Sequence, residues 1–169
     1  LRQVKPHEDK SSIVFLGDNI YPGGLPNKGE KGREEAENIL NYQLNRLKTT
    51  KAITYYIPGN HDWARGRTKG LDYVLNQAKE VKKSLGKKGN FIPKNGCPGP
   101  VEVSISDNLV LIAIDTQWWL HQYEKGPVKT GDCTSVNTHT IINNLKDILS
   151  DNKNKNIVVV GHHPIISKG

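Results

Sequence analysis

The chain has 169 residues, of which 35% are hydrophobic and 24% charged, and 24 basic residues against 17 acidic ones give a formal net charge of +7. This is the make-up of one ordinary folded domain. It excludes a disordered tail, a collagen-like repeat and a disulfide-dense miniprotein, and apolar runs such as Leu109 to Ile114 fall far short of the ~20 residues needed to span a bilayer.

The elements follow in chain order. Residues 12–17 read as a short buried strand, and a Pro- and Gly-rich loop runs on to Gly32. From Glu34 to Leu47, apolar Ala36, Ile39, Leu40, Leu44 and Leu47 recur at helical spacing. Ala52 to Ile57 is rich in β-formers and stops at Pro58. Leu71 to Leu85 places Leu71, Val74, Leu75, Ala78 and Val81 on one helical face. Val101 to Ile105 alternates apolar and polar, turns at Asp107 and Asn108, and pairs with the nearly all-apolar Leu109–Ile114 as a hairpin whose second strand is central. After a long loop, Thr138 to Leu149 forms a helix with Thr138 as its cap, and Asn156 to Val160 reads as a fully buried strand. The order β-α-β-α-β-β-α-β predicts an α/β fold.

The surplus of positive charge comes from 19 lysines and only five arginines. Its densest stretch, Lys79, Lys82, Lys83, Lys87 and Lys88, has no interleaved aromatic. A solvated surface explains this better than a nucleic-acid groove, and attraction of anionic substrates is the milder consequence. No membrane contact is expected from this segment, and the oligomeric state is left open.

Three polar clusters sit just past the carboxyl ends of apolar strands: Gly17-Asp18-Asn19-Ile20-Tyr21, Gly59-Asn60-His61-Asp62 and Gly161-His162-His163-Pro164. In open α/β sheets this edge is where ligands bind, and a glycine lets the backbone turn so that the next side chain projects over it. Each cluster alone reads equally as a strand-ending turn. Together, a carboxylate, a carboxamide and imidazoles from three strand ends form a donor set suited to manganese, iron or zinc. Two such ions could clamp the attacking and leaving oxygens of a phosphoryl group.

In that order the clusters resemble the middle motifs of the calcineurin-like metallophosphoesterases. Gly17-Asp18-x-x-Tyr21 and Val159-x-x-His162 look like the purple acid phosphatase branch. The resemblance implies a β-sandwich flanked by helices, a four-layer α/β/β/α arrangement incomplete at both termini. It also implies two metal ions, iron with iron, zinc or manganese, and a small phosphorylated substrate. Asp18 would bridge the metals, Tyr21 would bind iron as a phenolate, and Asn60 and His162 would hold the divalent ion. His61 would contact the phosphate or protonate the leaving group, with Asp62 orienting it. His163, Trp118 and His121 are candidates for the substrate side, and Trp119 beside them is read the same way. For the two tryptophans, packing of the loop is the favoured reading over lining an entrance.

The family's first motif, upstream of Asp18, and its last, downstream of His162, are not found. The chain is therefore expected to be a single, truncated catalytic domain, the central part of one, without the full ligand set. A phosphomonoesterase is the leading expectation; a phosphodiesterase or nuclease of the same superfamily and a non-catalytic binding module are the alternatives. Tyr21 favours the first, because a site using only divalent ions has no need of a phenolate. Cys97 and Cys133, both in loop-like settings, are read equally as a disulfide or as two free thiols. A bond between them would favour a periplasmic, envelope or secreted location over the cytoplasm.

Overall fold

The computed structural model describes residues 9–126, 133–134 and 136–166. Two three-stranded sheets form its frame. The first joins β1 (Ser12–Leu16), β2 (Ile53–Ile57) and β3 (Gly89–Phe91) in parallel. The second has β5 (Leu109–Ala113) at its centre, antiparallel to β4 (Val101–Ser106) and parallel to β6 (Asn156–Val160). Helices flank the sheets: α1 (Arg33–Lys48), α2 (Gly70–Leu85), the single turn α3 (Gln117–Leu120) and α4 (Thr138–Asp151). This is a mixed α/β architecture of two sheets flanked by helices.

The amphipathic spacing of α1 and α2 explains the first core. Leu40, Leu44 and Leu47 of α1 meet Val74, Val81 and Leu85 of α2 over one face of the first sheet. On that face, Phe15, Tyr56 and Phe91 occupy one register row across β1, β2 and β3. Their rings stack, with centroids 4.3 Å apart for Phe15–Tyr56 and 6.5 Å for Tyr56–Phe91. The strand alternation turns Tyr55 and Ile57 to the opposite face. There they join Ile92, Leu111 and Ala113, with Val14, Val103 and Val160 against them, so this second cluster fills the space between the sheets.

The hairpin and the central position of β5 follow the sequence. Three readings do not. β6 is not fully buried: the consecutive Val158 and Val159, which point to opposite faces, are 47% and 50% exposed, because among the described residues β6 is an edge strand that pairs only with β5. β3 and α3 were not anticipated, since elements of three and four residues are too short to set a periodicity. The cap of α4 is Asn137 rather than Thr138, its side chain accepting from the backbone N–H groups of His139 and Thr140. Among the described residues, no helix is long and apolar enough to cross a membrane.

Cys97 and Cys133 form a disulfide that closes a loop over 36 positions of chain, resolving the open choice. For a loop of that length, the chain-entropy contribution is about 4 kcal/mol. Cys133→Ser is expected to lower the unfolding free energy by about 2–4 kcal/mol. Urea unfolding of the variant beside the oxidised protein measures it, and equal midpoints would show that the bond does not constrain the unfolded chain.

Candidate metal and phosphate site

The three clusters come together because the two sheets meet at their strand ends. Beyond β1, Gly17 and Asp18 both take left-handed backbone, with φ of 92° and 52°, and this bend swings the Asp18 carboxylate over the sheet edge. Space there is tight. A Cβ on Gly17 would lie 2.5 Å from His162 Nδ1 and 2.9 Å from the Gly59 Cα, and one on Gly59 would overlap Asp18. Both glycines are therefore required by close approach: a methyl group at either position would push the clusters apart.

Asp18 is the meeting point. Its Oδ2 accepts a 2.7 Å hydrogen bond from the Tyr21 hydroxyl, and its Oδ1 accepts from the His61 backbone N–H at 3.0 Å. The ring nitrogen Nε2 of His162 lies 3.4 Å from Oδ1, and that of His61 lies 3.9 Å from Oδ2. The bond to Asp18, and then its charge, raise the Tyr21 phenol above its ordinary pKa. The phenol therefore keeps its proton while no cation is near.

The histidine tautomers follow from their partners. His162 Nδ1 is 2.8 Å from the Leu16 carbonyl, the last of β1, so Nδ1 carries the hydrogen and donates it. In the neutral ring this leaves a bare lone pair on Nε2, directed 3.1 Å toward Asn60 Oδ1 and toward Asp18. A backbone carbonyl fixing one ring nitrogen so that the other is free is the arrangement seen behind metal-ligating histidines. His61 Nδ1 likewise sits 2.7 Å from the Pro22 carbonyl, and the Tyr21 ring lies 4.2 Å from its ring.

Asp62 does not orient His61, as the sequence reading expected; the Pro22 carbonyl and the Tyr21 ring do that. The Asp62 carboxylate is fully buried and turned away, accepting from the Asn19 backbone N–H at 3.1 Å, the Asn19 side chain at 3.1 Å and the Gly59 N–H at 2.8 Å. Burial pushes its pKa up to about 7, while the N–H groups of Gly59, Asn19 and Ile20 pull it down. Its position beside His61 in sequence hides this, because adjacent side chains here point in opposite directions.

His163 reaches the site's edge, with Nδ1 2.8 Å from Thr116 Oγ1 and its backbone N–H donating to the same oxygen at 3.1 Å. Burial first, and then the neighbouring His162, lower its pKa. Trp118 and His121 are corrected: they are 7% and 1% exposed, packed inward and unable to line an entrance. Trp118 joins the helix-side core, and His121 packs against Trp63 with centroids 4.7 Å apart. Trp119 packs against the same core and bonds Thr138.

Two supporting residues were not anticipated. Asp115, fully buried, accepts from Trp63 Nε1 at 2.8 Å and from the Gln117 and Trp118 N–H groups, and Thr116 holds His163. The signal was available, since Asp115-Thr116 follows an apolar strand just as the three clusters do.

The chain matches the model of the calcineurin-like phosphoesterases over residues 1–169. It belongs to that family. Comparison with curated proteins and with solved structures gives no match. Members of this family bind divalent metal ions and hydrolyse phosphoesters in a metal-dependent way.

The residues present fit a cation. With Nδ1 carrying the hydrogen, His162 Nε2 faces the oxygens of Asn60 and Asp18 as a third acceptor, a donor set that suits a cation. Among the described residues, no three His, Cys, Asp or Glu side chains are grouped to hold a metal ion. Asp18 and His162 supply one carboxylate and one imidazole, with the Asn60 amide and the Tyr21 phenol beside them.

Asp62→Ala is expected to cost about 3 kcal/mol or more of stability, because it strands buried N–H groups of Asn19 and Gly59. His61→Ala is expected to cost about 1 kcal/mol or less, as a partly exposed ring with one hydrogen bond. Thermal and urea unfolding of the two variants separates these roles; equal losses would return Asp62 to the task of orienting His61.

Proposed function

We propose that the chain carries the centre of a phosphomonoesterase of the purple acid phosphatase type. Two metal ions, iron paired with iron, zinc or manganese, would act there on a small phosphorylated substrate. The observation that carries this reading is the convergence on Asp18, where a phenol and two imidazoles from three strand ends face one carboxylate and the Asn60 amide oxygen meets the His162 ring.

Bound there, the metal ions would lower the pKa of the attacking water and neutralise charge on the phosphoryl oxygens. Asp18, whose two oxygens face different members of the cluster, is the residue suited to bridge them; Asn60 and His162 suit the divalent ion. Tyr21, whose hydroxyl now donates to Asp18, would hold the more strongly Lewis-acidic ion as a phenolate, its proton lost to solvent. His61 has its Nδ1–H tied to the Pro22 carbonyl, so the proton it can release sits on Nε2, on the Asp18 side. A proton on Nε2 there can pass to the leaving alkoxide, giving the alcohol and the neutral imidazole. Tyr21 favours a monoesterase over a divalent-only diesterase or nuclease. The Cys97–Cys133 bond supports an oxidising compartment, periplasmic, envelope or secreted.

The test is metal content together with hydrolysis of p-nitrophenyl phosphate. Asp18→Asn is expected to lower bound metal and to reduce kcat/KM by about a thousandfold or more, the scale for losing a group that stabilises transition-state charge. Tyr21→Phe is expected to remove any visible absorption of the iron-loaded protein. Full activity in the Asp18 variant would overturn the site; unchanged absorption in the Tyr21 variant would overturn the purple acid phosphatase assignment alone.

A further inference from the structure

The segment after Asp62, Trp63-Ala64-Arg65-Gly66-Arg67, is held in a shape its residues do not favour. Ala64 and Arg65 are consecutive non-glycine residues in left-handed backbone, with φ of 52° and 58°. Residues with a Cβ are sterically disfavoured there. The shape persists because the segment is fastened at both ends. The Arg65 N–H donates to the Asn60 carbonyl at 3.0 Å, and the Gly66 N–H to that of Trp63 at 2.9 Å. Trp63 itself is fully buried and bonded to Asp115. The backbone of a residue proposed to hold metal is thus tied directly to the backbone of Arg65.

This geometry presents an arginine at the edge of the site. Arg65 borders an open cleft of about 620 Å³ that it shares with Asn60, His163, Gln117 and Tyr123. It also borders a smaller hollow of about 220 Å³ with Pro22, Arg67 and Lys69. Lys69 is committed to Glu30 at 2.5 Å. Arg65 and Arg67 are exposed and have no carboxylate partner among the described residues. An unpaired guanidinium on a strained, rigid turn is ready to receive a planar or tetrahedral oxyanion in two parallel hydrogen bonds. Only five arginines occur in the chain, and two fall in this turn.

Resting on the phosphoesterase reading, we propose that Arg65 is a specificity residue binding a second phosphoryl group, beyond the one hydrolysed at Asp18. The preferred substrates are then phosphoanhydrides or bisphosphates rather than simple monophosphates. The first phosphoryl group sits over the Asp18 cluster, and the second lies in the cleft between Asn60 and Arg65.

The test is calorimetric binding of inorganic pyrophosphate and of orthophosphate to the full chain as purified, to Arg65→Gln, and to Lys83→Gln. Lys83 removes the same unit of charge ~20 Å along α2 from the end nearest the site. Wild type is expected to bind pyrophosphate at least tenfold more tightly than orthophosphate; Arg65→Gln is expected to bring that ratio close to one and Lys83→Gln to leave it. Pyrophosphate stripping metal would affect all three proteins alike, so the difference between them reads Arg65. No preference in wild type, a preference that survives in Arg65→Gln, or one lost equally in Lys83→Gln would each overturn the proposal. A preference lost only in Arg65→Gln, in a protein that hydrolyses no phosphate ester, would sustain it as an anion site and overturn the phosphoesterase reading instead.

Discussion

A carboxylate withdrawn from water must be surrounded by N–H groups or else take up a proton, and at Asp62 the surrounding groups are drawn from two separate strand ends. Asn19 donates from beyond β1 and Gly59 from beyond β2. The buried charge therefore works as a fastening: neither loop can move without leaving the carboxylate or the donors unpaired in a dry interior, at a cost of several kcal/mol. Asn19 extends the fastening by donating its side chain to the Ile57 carbonyl at 3.0 Å. The positions of Asp18, just before Asn19, and of Asn60 and His61, just after Gly59, are consequences of this one buried group.

The third cluster is brought in by a different contact. His162 ends a strand of the second sheet, yet its ring donates to the last carbonyl of β1 in the first. The absence of a side chain at Gly17 and Gly59 is what lets that ring approach. Apolar packing between the sheets, through Ile57, Ile92, Leu111 and Ala113, sets the spacing, and the histidine reads it out. A site divided between two sheets in this way is only as well defined as the packing beneath it.

Electrostatically the site is arranged for a cation at its centre and anions at its rim. Carboxylate, amide oxygen and the His162 ring nitrogen meet at the centre, whereas Arg65 and Arg67 stand outside without carboxylate partners among the described residues. The second buried carboxylate, Asp115, links the two zones by holding Trp63, from which the arginine turn departs. Burial pushes Asp115 up to about 7, opposed by the bonds from Trp63, Trp118 and Gln117, and it pairs with no cation among the described residues. It fixes the turn by holding Trp63 and the N–H groups of Gln117 and Trp118.

The sequence by itself determined the order of the longer elements, the helical faces, the central place of β5 and the three strand-end clusters. These are local properties: periodicity and glycine-led turns are written in consecutive residues. The family resemblance was legible for the same reason, since its motifs are short and contiguous. Only the tertiary structure decided which way each side chain faces once the chain has turned. His61 and Asp62 are adjacent, but one faces the site and the other the interior. Trp118 and His121 lie on a loop by their spacing, yet pack inward. β6 is as apolar as a central strand, yet pairs on one side alone among the described residues. The Cys97–Cys133 pairing and the Asp115–Trp63 bond likewise depend on contacts between distant positions. Such contacts arise from packing the two sheets together, and no window of sequence contains both partners.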